Sequence, residues 1–218
     1  MDFFRNLIYG SNPIAREIEA ATNSPFSQPD QAAFLEICDH INRRADGPSI
    51  ALPALINQLE KSAAKDSKTA NFTLNLLDMC LKNCCHRFTS ELCKGDYLKR
   101  LKKLTVPGKC TDEVRTRLLT LIKVWTLAFS DHVEFRPIND MYCELFSSGV
   151  QFPDINKNDV DVLKRTLPTG LPKASRSDLR PATLNTRTIQ LMQAIRQDLD
   201  LTALDLPAFE ALLQGLSC

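Results

Sequence analysis

Apolar residues recur at intervals of three and four positions from near the start of the chain to about residue 153, which is the spacing of amphipathic helices. Alternation with a period of two is not sustained, and the pair Asp46-Gly47 precedes a proline and fits a turn between helices. Glycines and prolines act mainly as breaks. The pattern predicts eight helices, at about residues 13–21, 30–41, 50–59, 67–83, 87–93, 96–104, 112–129 and 138–148.

Capping signals predict several helix ends. Asn12 and Thr111 are expected to cap the first and seventh helices. Ser49 is expected to cap the third, which places Pro53 in its first turn, where a missing N–H costs little. Gly149 is expected to end the eighth. The fourth helix carries apolar residues on more than one face, so it should be central and buried, and the seventh is strongly apolar.

The short connections predict an all-α protein, built as a right-handed superhelix of eight helices with a C-terminal helical extension. The main domain is expected at residues 1–153. Residues 154–184 combine prolines, serines and basic residues with few aromatics, which is typical of a linker, with one helical turn near Val160 to Leu163. Helical spacing returns in residues 185–218, where the extension is expected.

The composition is that of an ordinary globular protein, with 218 residues, 44% hydrophobic and 24% charged. The formal net charge of +1 gives no general attraction to nucleic acid, so none is expected as a partner, and membrane binding would need a local patch. The first residues lack the pattern of a signal peptide, and no apolar run approaches the ~20 residues of a membrane span. A reducing, cytoplasmic setting is expected.

Eight cysteines raise the question of a metal site. The densest group is Cys80, Cys84, Cys85 and His86, but zinc favours two paired ligand sets and no second set follows. Cysteines at apolar helical positions, such as Cys38, are expected to be buried thiols. The three histidines fall in no catalytic or metal-binding motif. No catalytic residue, metal site or cofactor is therefore predicted.

Three stretches resemble the signatures of one known family. Residues 35–42 read LEICDHIN, residues 81–88 read LKNCCHRF, and residues 142–153 read YCELFSSGVQFP. In this order they resemble the signatures of VHS domains, and Trp125 in the seventh helix agrees with them. The similarity spans about residues 1–153, and the opening of the chain is similar to the Target-of-Myb branch.

The resemblance implies a VHS/ENTH-like superhelix that acts as a non-enzymatic adaptor in endosomal and vesicular protein trafficking. Such a protein would be cytoplasmic and peripheral on endosomal or Golgi membranes. The family recognises ubiquitin on cargo or, in one branch, acidic dileucine signals. Its ubiquitin site uses the second and fourth helices, and the matching candidates are Gln31, Ala32, Leu35, Leu74 and Asn75.

Two of these candidates leave alternatives open. Gln31 stands where the family usually has an exposed tryptophan, and large aromatic anchors dominate interface energies. Ubiquitin binding would then be weakened, and the chain could be an interaction scaffold that has lost it. Leu74 could contact a partner or lie in the core.

The sixth helix is basic and forms a second candidate site, for phosphoinositides or an acidic peptide: Lys99, Arg100, Lys102 and Lys103. Such a charge run is also typical of a solvated helix face. The eighth helix contributes Asp140 and Glu144 rather than positive charge, which argues against an acidic peptide.

The tail offers a third possible contact. Residues 198–201 and 204–206 are loosely similar to the acidic-leucine peptides that bind clathrin or adaptor proteins. The GAT domain that follows the VHS domain in Target-of-Myb proteins is not recognisable before Cys218. The chain is therefore expected to be either diverged or a fragment.

Overall fold

The computed structural model describes residues 12–167, which form nine α-helices and one short 3-10 helix. Within that range there are no strands, which confirms the all-α prediction. Residues 1–11 and the expected extension at 185–218 lie outside the described residues. We number the helices α1 Pro13–Thr22, α2 Gln31–Arg43, α3 Gly47–Ser62, α4 Ser67–Asn83, α5 His86–Lys94, α6 Tyr97–Leu104, α7 Asp112–Phe129, α8 Arg136–Ser147 and α9 Lys157–Thr166, with the 3-10 turn at Val133–Phe135.

Local capping fixes several helix ends. Asn12, Asp30 and Thr111 each accept a hydrogen bond at the side-chain oxygen from a backbone N–H in the first turn of α1, α2 and α7, respectively. The predictions for Asn12 and Thr111 are confirmed. Gly149 has a φ of 84°, in the left-handed region that glycine adopts without strain, and it follows α8 as predicted.

The start of α3 differs from the prediction. The helix begins at Gly47, and the hydroxyl of Ser49 donates to the carbonyl of Asp46 instead of capping the helix. A Cβ on Gly47 would collide with the carbonyl oxygen of Ile41, so this start depends on a close backbone approach that only glycine permits. Pro53 therefore lies inside the helix rather than in its first turn, and its missing N–H removes one helical hydrogen bond.

Helices α4 and α7 lie at the centre of the fold, a position that was predicted for α4. They pack against each other, α4 also against α3 and α2, and α7 also against α8. Trp125 of α7 is fully buried, and its Nε1 donates to Oδ1 of Asp78 on α4 at 3.1 Å. The other oxygen of Asp78 accepts from Lys82 at 2.6 Å. Both oxygens of this buried carboxylate are therefore satisfied, as a buried polar group requires.

The segment predicted as a linker begins with a ten-residue helix. Val160 and Leu163 of α9 are buried, and the helix packs against α7 and α4. The expected single turn is therefore too short, because an inward apolar stripe carries the helix over Lys157–Thr166. The remainder of the expected linker, from residue 168 onward, lies outside the described residues. The domain boundary at residue 153 stays a prediction.

The side chain of Asn42 connects α2 to the junction between α4 and α5. Its Nδ2 donates to the carbonyl of Asn83 at 3.0 Å, and its Oδ1 accepts from the amide of Cys85 at 3.1 Å. Asn83 in turn donates to the carbonyl of Met79, so carbonyls at the end of α4 find partners. The last residue of LEICDHIN thus positions the turn within LKNCCHRF.

Replacing Asp66 with alanine should lower the free energy of unfolding by about 1 kcal/mol at neutral pH, because its carboxylate caps α4. It accepts from the Thr69 amide at 3.1 Å and from the Thr69 hydroxyl at 2.7 Å. These two hydrogen bonds hold the pKa of Asp66 below its usual range, and the bond from the backbone amide has the larger effect. The contribution is complete above the unfolded pKa of about 3.9, and it is lost as the pH falls through the lower folded pKa.

Urea unfolding at neutral pH and below about pH 3 tests this dependence. The variant Asp161→Ala removes an exposed carboxylate from α9 and is the matched control, with an expected change within about 0.5 kcal/mol. An equal loss for Asp66→Ala at both pH values would contradict the role of the ionised carboxylate.

Candidate functional site

The start of α2 is the first candidate binding surface. Gln31, Ala32 and Leu35 are all exposed there, and Leu35 leaves 47% of its surface accessible. Gln31 and Leu35 are four residues apart, so they lie on one face of the helix. Phe26, in the segment that leads into α2, is 69% exposed. Among the large apolar side chains exposed within residues 12–167, Phe26 and Leu35 are the only two within ten residues of each other.

Acidic residues continue this surface along α2. Glu36 and Asp39 are exposed, and each lies four residues after Ala32 or Leu35. An apolar area with an acidic margin suits a partner whose apolar contact is surrounded by basic residues. We call Gln31, Ala32, Leu35, Glu36 and Asp39 the α2 surface.

The two candidates on α4 do not join the α2 surface. Leu74 is fully buried, so it offers no contact to a partner. Its place among the candidate ubiquitin contacts is corrected: of the two roles left open by the sequence, core packing is the one observed. Asn75 is half-buried, and its Oδ1 accepts from Nη2 of Arg117 at 3.1 Å, so it faces α7 rather than α2.

Asn75 belongs instead to a polar groove between α4 and α7. One turn earlier, Asn71 donates from Nδ2 to Glu113 of α7 at 2.7 Å. The polar groups of the two helices therefore pair across the groove, and the sequence did not indicate this arrangement. The groove is lined by Asn71, Asn75, Asp112, Glu113, Thr116, Arg117 and Thr120.

Two of the four basic candidates on α6 are used within the fold. Arg100 donates through Nε and Nη2 to the two carboxylate oxygens of Glu60 on α3, at 2.9 and 2.5 Å. This pair raises the pKa of the Arg100 guanidinium. Lys102 pairs with Glu144 of α8. These contacts connect α6 to its neighbours, and they leave little positive charge from either residue for a ligand.

Lys99 and Lys103 are the remaining basic candidates. Both are exposed, and their separation of four residues places them on one face of α6. The space between α6 and α8 is bridged by the pair Lys102–Glu144, with the exposed Asp140 also on α8. An acidic peptide would meet carboxylates there, which agrees with the argument made from the sequence.

A model of the VHS domain matches residues 10–149. The chain belongs to the VHS-domain family. The match covers well over half of the chain, and it contains the LEICDHIN and LKNCCHRF stretches in full. The family resemblance noted in the sequence is therefore confirmed.

Curated relatives of this VHS domain include TOM1-like protein 1 of Rattus norvegicus, 33% identical over 164 residues that cover 72% of this chain and 34% of the relative. Target of Myb1 membrane trafficking protein of Mus musculus is 30% identical, with coverages of 70% and 30%. ADP-ribosylation factor-binding protein GGA2 of Saccharomyces cerevisiae is 32% identical, with coverages of 70% and 27%. The similarity to the Target-of-Myb branch is confirmed, and the chain spans about a third of the length of these relatives.

A solved structure supports the fold. The VHS and FYVE tandem domains of Hrs, a protein involved in membrane trafficking and signal transduction, match with a TM-score of 0.59 and 23% identity. The match covers 66% of this chain and 65% of that one. The expected VHS-type helical architecture is thereby confirmed. Among residues 12–167, no helix combines the length and apolar character needed to cross a bilayer.

Three cysteines of the VHS domain converge in its core. The Sγ atoms of Cys38, Cys80 and Cys84 all lie within 4.8 Å of one another, and those of Cys38 and Cys80 are 3.8 Å apart. Two hydrogen bonds lower the pKa of Cys38, the larger effect coming from Cys80 and the smaller from Cys84. The interaction with Cys38 is the main factor that raises the pKa of Cys80 and of Cys84, and burial adds to it.

Only part of this cluster could be predicted from the sequence. Cys80 and Cys84 stand one helical turn apart, so their shared face was visible. Cys38 lies 42 residues before Cys80, on a different helix, and no spacing rule connects the two. The packing of α2 on α4 brings them together. Two signals could have indicated the full cluster: the inward-facing cysteine of LEICDHIN, and a contact between the second and fourth helices.

Proposed function

We propose that this VHS domain is a non-enzymatic adaptor of endosomal and vesicular protein trafficking, peripheral on endosomal or Golgi membranes, and that its α2 surface binds ubiquitin on cargo. The trafficking role is supported by the names of its relatives, one of which is a membrane trafficking protein. The chain spans about a third of the length of these relatives, so we extend their trafficking role to it only as a proposal.

The exposure of Leu35 is the observation that carries the binding proposal. A leucine left 47% accessible on a regular helix gains free energy when a partner covers it, about 1–2 kcal/mol for its exposed area. The rest of the α2 surface provides a small residue beside it and an acidic margin. With Gln31 in place of an aromatic anchor, we expect weak binding, with a Kd of about 1 mM.

The variant Leu35→Asp should abolish the binding of ubiquitin. We would titrate unlabelled ubiquitin into the isotope-labelled chain and follow amide chemical shifts. In the native chain the shifts should concentrate in residues 31–39, because that is the α2 surface. In the variant a charge replaces the apolar contact, so no saturable shift should appear there up to about 1 mM ubiquitin.

The matched control is Val106→Asp, which places the same charge on a side chain that is 49% exposed and follows α6. It should bind ubiquitin as the native chain does. If the native chain shows no shift in residues 31–39, ubiquitin recognition by α2 is contradicted, and the interaction scaffold that has lost it becomes the better account. Clathrin or adaptor proteins would then be the partners to test, through tail residues that lie outside the described ones.

The exposed pair on α6 favours a second function, contact with anionic phospholipid headgroups. Lys99 and Lys103 point to one side, and a basic residue near an anionic surface contributes about 1 kcal/mol. Two such residues amount to about 2 kcal/mol, which is enough to assist membrane contact but not to anchor the domain.

Changing Lys99 and Lys103 together to glutamate should reduce sedimentation with vesicles that contain phosphoinositide by at least about tenfold, because two attractions become repulsions. The control is Lys61→Glu with Lys65→Glu, an exposed pair with the same spacing at the end of α3. Equal sedimentation of the native and Lys99/Lys103 chains would exclude this face as the lipid contact.

A further inference from the structure

The buried thiol cluster of Cys38, Cys80 and Cys84 plays no part in the proposed trafficking role. Its geometry is that of a possible metal-binding site. Buried cysteines usually serve as small apolar side chains. Here the sulfurs of one residue of α2, one residue of α4 and the residue that follows α4 converge, and they contact one another and the carbonyl of Cys38. Convergence of three sulfurs is the arrangement in which thiolates hold a soft metal ion.

The sulfur separations fit a three-coordinate ion. A thiolate sulfur lies about 2.3 Å from a bound ion such as zinc, and three sulfurs at that distance in one plane are about 4 Å apart. The distance between the sulfurs of Cys38 and Cys80 is 3.8 Å, and every pair in the cluster is within 4.8 Å. Metal binding would therefore need only small movements of the side chains.

Ligand number selects the ion. No further His, Cys, Asp or Glu of residues 12–167 joins the three sulfurs, and Cys38 and Cys80 are at most 1% exposed, so bulk solvent does not reach their sulfurs to supply a fourth ligand. Structural zinc is almost always four-coordinate, whereas thiolates are the ligands that favour Cu(I). We propose that Cys38, Cys80 and Cys84 form a buried three-sulfur site that binds one Cu(I) ion.

The surroundings hold the three sulfurs in place. Cys84 is the residue that follows α4, and the Asn42 side chain fixes this junction to α2 by bonding on both sides of it, at Asn83 and Cys85. Hydrogen bonds of this kind around a metal site orient its ligands.

The junction between α4 and α5 is also the side from which an ion could reach the cluster. Cys84 is 8% exposed, and the next residue, Cys85, is half-buried with its sulfur accepting from Nε of Arg87 at 3.2 Å. This partly accessible thiol beside a guanidinium can receive the ion first and pass it to Cys84 by exchange of sulfur ligands. The positive charge of Arg87 also offsets part of the negative charge that thiolates bring to this end of the domain.

Anaerobic titration of the full chain with Cu(I), in the presence of the chelator bicinchoninate, tests the proposal. We expect one copper per chain to resist the chelator. Cys38→Ala and Cys80→Ala should each weaken this binding by at least about tenfold, since a three-coordinate site loses a ligand. Cys93→Ala and Cys143→Ala remove half-buried thiols outside the cluster and should bind as the native chain does.

X-ray absorption of the copper-loaded native chain gives a second reading that does not depend on the folding of variants. Three sulfurs at one distance are expected. Two sulfurs, or a mixture of sulfur and nitrogen, would overturn the site, and so would unchanged copper binding in folded Cys38→Ala. In a parallel titration zinc should bind more weakly than copper, and tight zinc binding with a fourth ligand would overturn the assignment to Cu(I).

Discussion

Replacing Trp125 with alanine should lower the free energy of unfolding by about 3–5 kcal/mol, the largest loss expected from a single substitution in this domain. The side chain is fully buried in α7, at the contact with α4, and its removal leaves a cavity that the helices around it fill only in part. Asp78 also loses the donor at 3.1 Å and is left with Lys82 alone. This loss is a large fraction of a typical domain stability of about 5–15 kcal/mol.

Urea unfolding followed by far-ultraviolet circular dichroism measures this loss without relying on tryptophan emission, because the chain contains one tryptophan. The variant Trp125→Phe separates the two contributions, since it keeps much of the ring volume but removes the indole donor. It should cost about 1–3 kcal/mol. A loss below about 1 kcal/mol for the alanine variant would contradict the central position of this side chain.

Local signals predicted the long helices well. The bounds of α4, Ser67–Asn83, match the prediction because both ends are determined nearby: Asp66 caps the first turn, and Asn83 bonds the last. The fold class follows from the same periodicity, which the sequence displays without help from distant contacts. Motif stretches added the family, because their order along the chain is specific even where each is short.

The wrong or undecided predictions concern features that depend on how neighbouring helices pack. The start of α3 is set by Gly47 against the carbonyl of Ile41, a contact between turns that capping rules ignore. The segment that holds α9 was predicted to be a linker from its prolines, serines and basic residues, and the helix packs through only two buried residues, Val160 and Leu163. Leu74 lies on a helix that is apolar on more than one face, so periodicity could not decide whether it faces the core.

The candidate binding residues also differ in how well the sequence predicted them. The candidate contacts on α2, Gln31, Ala32 and Leu35, are exposed, as contact with a partner requires. Half of the basic candidates on α6 are instead occupied by carboxylates from α3 and α8, which lie 40 or more residues away in the sequence. A run of positive charge in a sequence thus overstates the charge that a folded surface can offer.

Replacing Gln31 with tryptophan should strengthen ubiquitin binding by about tenfold, or about 1.4 kcal/mol. Position 31 is exposed in the first turn of α2 and lies one turn before Leu35, so an indole there would extend the apolar area of the α2 surface. Aromatic anchors beside an apolar contact are the side chains that dominate interface energies. Stability should change by less than about 0.5 kcal/mol, since the position is on the surface.

The same titration of the labelled chain measures the gain, and Gln151→Trp is the matched control because it adds an indole at another exposed glutamine. Equal strengthening by both variants would mean that an added indole binds ubiquitin wherever it stands, which would contradict the α2 surface. A gain confined to Gln31→Trp would mean that the helix keeps the geometry for ubiquitin and that residue 31 limits the affinity. If the native chain fails to bind while this variant binds, one glutamine accounts for the difference between a ubiquitin receptor and a scaffold on the same fold.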